Sequence, residues 1–158
     1  MHTTLWVRLV ADLKNTNMME KQTFLEVIDK TQTVIEQLNL PDVSPRLRSV
    51  CICGSSRFCD LIAVVKWELE KKGFMATGLN LLPQWYTENQ EWTESHHGAE
   101  QENVADVLDE VHLRKIDEYD CVIIVNPNGY IGERTAIEIE YAKENKKPVY
   151  YWEVANGG

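Results

Sequence analysis

Glu138 stands three residues beyond Thr135 in a segment that reads Asn126-Pro-Asn128-Gly129-Tyr130-Ile-Gly132-Glu-Arg-Thr135, a Pro/Asn/Gly-rich turn running into a helix. Asn128-Gly129 at the apex and Gly132 beside the helix start bring the backbone close to a sugar ring, because such residues adopt turn conformations that others resist. A carboxylate in the first turns of the following helix meets the positive end of the macrodipole, which favours its ionised form. An ionised carboxylate is a competent nucleophile. Glu133 and Glu140 on the same helix read as solvated glutamates. A second turn, Gly54-Ser55-Ser56-Arg57, combines a glycine, two hydroxyls, the N–H groups of a helix start and a guanidinium, which together suit a phosphate. Its plain alternative is a serine N-cap beside a solvated arginine.

Both turns follow uninterrupted apolar runs, at 49–53 and 121–125, that read as buried parallel strands delivering their carboxyl ends to a crevice. Helical spacing follows the first turn at Phe58, Leu61, Ile62, Val65 and Leu69, up to a capping Gly73. It recurs at Val104, Val107, Leu108, Val111 and Ile116, and at Ala136, Ile137, Ile139 and Tyr141. Further strands are expected at 74–82 and 148–153. This alternation predicts an α/β fold, a doubly wound parallel sheet with flanking helices. Ahead of it, Phe24, Ile28, Thr31, Ile35 and Leu38 share one helical face, and Pro41 and Pro45 mark a linker. The chain therefore divides into an N-terminal helical appendage over 1–46 and an α/β domain over 47–158. The appendage either covers a sheet face or makes a dimer contact. The polar stretch 83–103, with Trp85, Tyr86, Trp92, His96 and His97, is a lid over a ligand or a short helical insertion.

With 158 residues and 44% hydrophobic content, the chain fits one globular fold with a real core. A net charge of −9 argues against a nucleic-acid or anionic-lipid surface, leaving a small anion at a local positive site. No apolar stretch is long enough to cross a membrane. Among the four cysteines, Cys51 and Cys53 share a strand face, and no leader segment precedes them, so a reducing cytoplasm is expected. Cys51, Cys53 and Cys59 read as packing, since no matching Cys/His cluster completes a tetrahedral set. No metal and no cofactor is expected.

Taken together, Cys53-Gly-Ser-Ser-Arg57, Lys115-Ile-Asp-Glu-Tyr-Asp120, the Gly132-x-x-Thr135-x-x-Glu138-Ile-Glu-Tyr-Ala142 segment and Lys147-Pro-Val149 resemble the nucleoside 2-deoxyribosyltransferase superfamily, with its nucleoside 5′-monophosphate N-glycosidase branch. The resemblance spans about residues 49–152 and implies a Rossmann-like or flavodoxin-like sheet. It implies that Glu138 attacks C1′ of the sugar and that Gly54, Ser55, Ser56 and Arg57 hold a 5′-phosphate. It also implies a homodimer. The transferases carry an aspartate just before this glutamate, whereas the longer Asn128–Thr135 segment here lacks it. His112 falls near the position of a helper carboxylate in the family and is the candidate proton donor. Tyr130 or Trp85 would stack on the base. The implied reaction is cleavage of the N-glycosidic bond of a nucleotide or nucleoside through a glycosyl-enzyme. Transfer to a second base, cleavage of NAD, and nucleotide sensing without cleavage stay open as alternatives.

Overall fold

The strands at Ser49–Gly54 (β1) and Cys121–Val125 (β3) lie side by side in parallel, Val50 opposite Cys121 and Gly54 opposite Val125, as the middle of a four-stranded sheet. Every residue of both strands is buried, as expected of uninterrupted apolar runs with helices on both sides. Met75–Thr77 (β2) pairs with β1 and Val149–Tyr151 (β4) with β3, both parallel, giving the order β2-β1-β3-β4. The predicted doubly wound α/β architecture is thus the observed one. The computed structural model describes residues 21–40, 46–90 and 98–154, so Pro41, Pro45, Trp92, His96 and His97 singled out above lie outside the described residues.

The helices are Lys21–Leu38 (α1), Cys59–Lys71 (α2), Gln84–Asn89 (α3), Gly98–Gln101 (α4), Ala105–Glu118 (α5) and Glu133–Glu144 (α6), with one-turn 3-10 segments at Ser56–Phe58 and Pro127–Gly129. Alternation along β1 and β3 sends Val50, Ile52, Cys121, Ile123 and Val125 to one face and Cys51, Cys53, Val122 and Ile124 to the other. The first face is covered by α1 and α2 through Val34, Ile35, Leu38, Leu61, Ile62, Val65 and Leu69. Ile116 of α5 with Ile139 and Ala142 of α6 covers the second.

α1 therefore lies on the sheet of its own chain. Its buried stripe is Val27, Thr31, Val34, Ile35 and Leu38, turned away from Phe24, which is 51% exposed. Trp152 Nε1 donates to Thr31 Oγ1 (3.0 Å), and Lys30 pairs with Glu153 (2.7 Å), fastening α1 to the chain just after β4. α2 ends where Gly73 takes a φ of +90°, a conformation open to glycine, and the Phe74 N–H closes back on the Leu69 carbonyl.

The second strand is three residues long rather than the nine expected over 74–82. Pro83, lacking an N–H, begins the turn into α3. The flanks of the 83–103 stretch are helical, α3 and α4, with Thr87 buried and Trp85 64% exposed.

Much of the motif set that carries the resemblance serves the architecture. Lys115 Nζ donates to the Gly78 carbonyl (2.8 Å), and Asp117 accepts from the Tyr141 hydroxyl (2.8 Å). Asp120 Oδ2 accepts from the Arg48 and Ser49 N–H groups (2.7 and 3.1 Å). Lys147 Nζ caps the end of α5 by donating to the carbonyls of Asp117 and Tyr119, both at 2.9 Å.

Candidate active site

The chain steps outward from β1 in opposite directions to β2 and to β3, so the carboxyl ends of β1 and β3 form the switch point where parallel sheets bind ligands. Both sequence-predicted turns leave from there. They also touch: the Arg57 guanidinium lies over the Tyr130 ring (4.5 Å to its centroid), and Phe58 meets the same ring edge-on (5.7 Å). Arg57 remains exposed.

The first turn is tightly built. A Cβ on Gly54 would meet the Val125 carbonyl oxygen at 3.0 Å, so this glycine is demanded by the neighbouring strand as well as by any ligand. Ser55 Oγ accepts from the Arg57 N–H (3.3 Å), the N-cap arrangement weighed for this turn, and Ser56 is half-buried beside it. In the second turn Asn128 and Gly129 have φ of +55° and +77°, the left-handed pair an Asn-Gly apex favours. Gly132 caps α6, where a Cβ would meet the Tyr130 hydroxyl oxygen at 3.7 Å, and Thr135 is buried.

Glu138 is on the inner stripe of α6. Thr135, Glu138, Ile139 and Ala142 follow the i, i+3, i+4, i+7 spacing of a packed face, leaving Ile137 63% exposed. On α5, His112 and Ile116 are the buried pair, one turn apart. Facing each other beneath β1, His112 Nε2 and Glu138 Oε2 are 3.5 Å apart. The same Nε2 lies 3.2 Å from Cys53 Sγ and 3.8 Å from Cys51 Sγ. Glu138 Oε2 is buried without a hydrogen-bond partner.

Burial pushes the Glu138 carboxyl up to about 6, against the pull of the His112 charge and the nearby Cys53 thiol. The expectation that the helix dipole keeps this carboxylate well ionised is thereby corrected: Glu138 is the sixth residue of α6, beyond the first turn where the dipole acts, and burial dominates. His112 is raised above the ordinary histidine value. Burial alone would lower it, but the hydrogen bond to Cys51 and the charge of Glu138 outweigh that cost. Cys51 is drawn down to about 6 by its hydrogen bond with Cys53, against burial and with the help of His112, while Cys53 is raised well above the usual thiol range.

The sequence shows no Cys/His cluster completing a tetrahedral set; the structure gathers three potential ligands, two of those cysteines and a histidine that the sequence reading does not join to them. Cys51 Sγ, Cys53 Sγ and His112 Nε2 lie within 4.8 Å of one another, whereas Cys59 opens α2 and its Sγ turns to Asp60 (3.7 Å). Fifty-nine residues separate Cys53 from His112, so no local spacing announces the cluster. None of the four cysteines is in a disulfide. A cysteine-protease-like triad does not fit this arrangement, because both sulfurs and the carboxylate converge on the same ring nitrogen instead of one on each.

A cleft of about 700 Å³ opens on the β3–β4 side of the switch point, lined by Asn126, Asn128, Gly129, Tyr151 and Glu153 among others. It includes the apex of the second turn but neither Glu138 nor His112. Asn126 shapes its wall: its side chain donates to the Glu153 carbonyl (3.2 Å) and accepts from the Glu153 N–H (2.8 Å). Among the described residues no helix is long and apolar enough to cross a membrane. Comparison of the chain with models of known families, with curated proteins and with solved structures finds no match.

Proposed function

We propose that the protein cleaves the N-glycosidic bond of a nucleotide, a ribo- or deoxyribonucleoside 5′-monophosphate, with Glu138 as nucleophile and His112 as proton donor. The observation that carries this reading is the buried Glu138 carboxylate, with Oε2 unpartnered and 3.5 Å from the His112 ring. The family resemblance supports it, as does the guanidinium at the mouth of the first turn.

In the first step a Glu138 oxygen bonds to C1′ as the C1′–N bond breaks, and the departing base takes the His112 proton. The sugar is then held as an ester of Glu138. Water next attacks C1′, returning its proton to His112 and freeing the carboxylate. The oxocarbenium-like transition state is favoured by a negative group beneath the ring, and a largely buried carboxylate exerts that effect in a poorly screened setting. Gly54, Ser55, Ser56 and Arg57 take the 5′-phosphate, Asn128, Gly129 and Gly132 bring backbone to the sugar, and Tyr130 stacks on the base. A homodimer belongs to the same reading. Its contact would have to lie away from the inner face of α1, which the chain already uses.

The test is release of free base, followed by chromatography, from a panel of nucleoside monophosphates, nucleosides and NAD. Base release from monophosphates alone bears the reading out. Tight nucleotide binding with no base released by the folded protein would leave the sensing alternative in its place.

A further inference from the structure

Cys51 and Cys53 point to the same side of β1, because residues two apart on a strand share a face. Beneath them α5 offers His112 and α6 offers Glu138. Three potential partners, at 3.2, 3.8 and 3.5 Å, gather on the single nitrogen His112 Nε2. That nitrogen carries at most one proton, so one N–H cannot serve all three. Buried polar atoms ordinarily have a partner, yet Glu138 Oε2 has none.

We infer that Cys51, Cys53, His112 and Glu138 form a binding site for a thiophilic divalent cation of the zinc class, with two ligands from β1 and one each from α5 and α6. A tetrahedron built on metal–ligand bonds of about 2.0–2.3 Å has edges of roughly 3.3–3.8 Å. The three separations that meet at His112 Nε2, 3.2, 3.8 and 3.5 Å, match edges of that size. The ligand atoms of Cys51, Cys53 and His112 already lie within 4.8 Å of one another, and Glu138, outside that triplet but 3.5 Å from the ring, swings in as the fourth ligand. Two sulfurs, an imidazole nitrogen and a carboxylate oxygen are a donor set suited to zinc and poorly suited to magnesium or calcium. A cation at their centre gives each of the four groups a partner at once. It also ties β1 to both helices of this face. The site shares Glu138 and His112 with the glycosidase reading without resting on it, and a loaded centre withholds that carboxylate from any sugar.

Cobalt titration of the chelator-treated, reduced whole protein tests the inference. The expected result is saturation at one equivalent of Co²⁺, with a thiolate-to-cobalt band in the near ultraviolet, intense visible bands of four-coordinate cobalt, and bleaching by Zn²⁺. Cys51→Ser and Cys53→Ser, checked for folding by circular dichroism, each remove about half of the thiolate band, in keeping with two sulfur ligands. Glu138→Gln keeps that band but alters the visible spectrum, and Cys121→Ser changes neither. Absence of a saturable thiolate band in the wild-type protein overturns the inference, as does a band that survives the double Cys51→Ser/Cys53→Ser change. The absorbance is read whether or not base is released, so this result and the glycosidase result stand or fall separately.

Discussion

The two faces of one strand are put to opposite uses in this molecule. Val50 and Ile52 enter a face lined by aliphatic side chains of α1 and α2 together with Phe58, while Cys51 and Cys53, one residue away on either side of Ile52, meet a histidine and a carboxylate. The first face holds the fold by removing apolar surface from water. The second has sulfur, imidazole and carboxylate in a setting where each shifts the titration of the others. The glycosidase proposal thereby sets stability and reactivity one peptide unit apart, which makes the division testable by substitution.

Glu138→Gln should give the largest effect, a loss of base release by roughly a thousandfold or more with the fold intact, because only the transition state requires the charge. Full turnover in the folded variant would erase the division by showing that the second face is not the chemical one. On the first face, Ile52→Ala should lower unfolding free energy by about 2–5 kcal/mol in urea denaturation, a cavity effect, with Cys53→Ala costing visibly less. Equal losses would mean that both faces act as core. At the mouth of the site, Arg57→Ala should weaken monophosphate binding by about ten- to a hundredfold, corresponding to roughly 1.5–3 kcal/mol for a charge-assisted contact, and barely alter nucleoside binding. Lysine should restore only part of it, lacking the planar fork. Calorimetric titration with a monophosphate and its nucleoside reads both.

The subtlest expectation concerns pH. A carboxyl raised from 4.5 to about 6 favours the folded state below pH 4.5, and that contribution is lost as pH rises through about 6. Glu138→Gln should therefore gain stability relative to the wild-type protein across that window and hold a constant difference above it. Thermal unfolding at pH 4, 5, 6 and 7 measures the trend, and a difference independent of pH would show that the carboxylate is not desolvated. Base release should rise through about pH 6 as Glu138 ionises and fall again as His112 loses its proton.

The sheet and its order of elements were legible in the chain because the buried runs of β1 and β3 announce themselves by composition, and because Gly73 and Asn128-Gly129 mark turns by backbone need. The rotation of the helices was less so. In α6 the exposed Ile137 mimics a core position, while the inner stripe passes through Glu138, and hydrophobicity alone reads that stripe wrongly. The same holds for α1, where Phe24 has the chemistry of a buried residue and not its exposure. The cluster of Cys51, Cys53, His112 and Glu138 was not legible as a set, since its members come from three elements brought together only by the packing of α5 and α6 on the sheet.

The fastening of α1 to Trp152 also bears on how the chain acquires its shape. Thr31 and Trp152 are 121 residues apart, and the hydrogen bond between them forms only once nearly all the described chain exists. During synthesis Val34, Ile35 and Leu38 must wait, uncovered, for strands that arrive much later. A parallel sheet sealed by such distant segments has a high contact order, which favours slow, all-or-none folding over stepwise growth from the first helix.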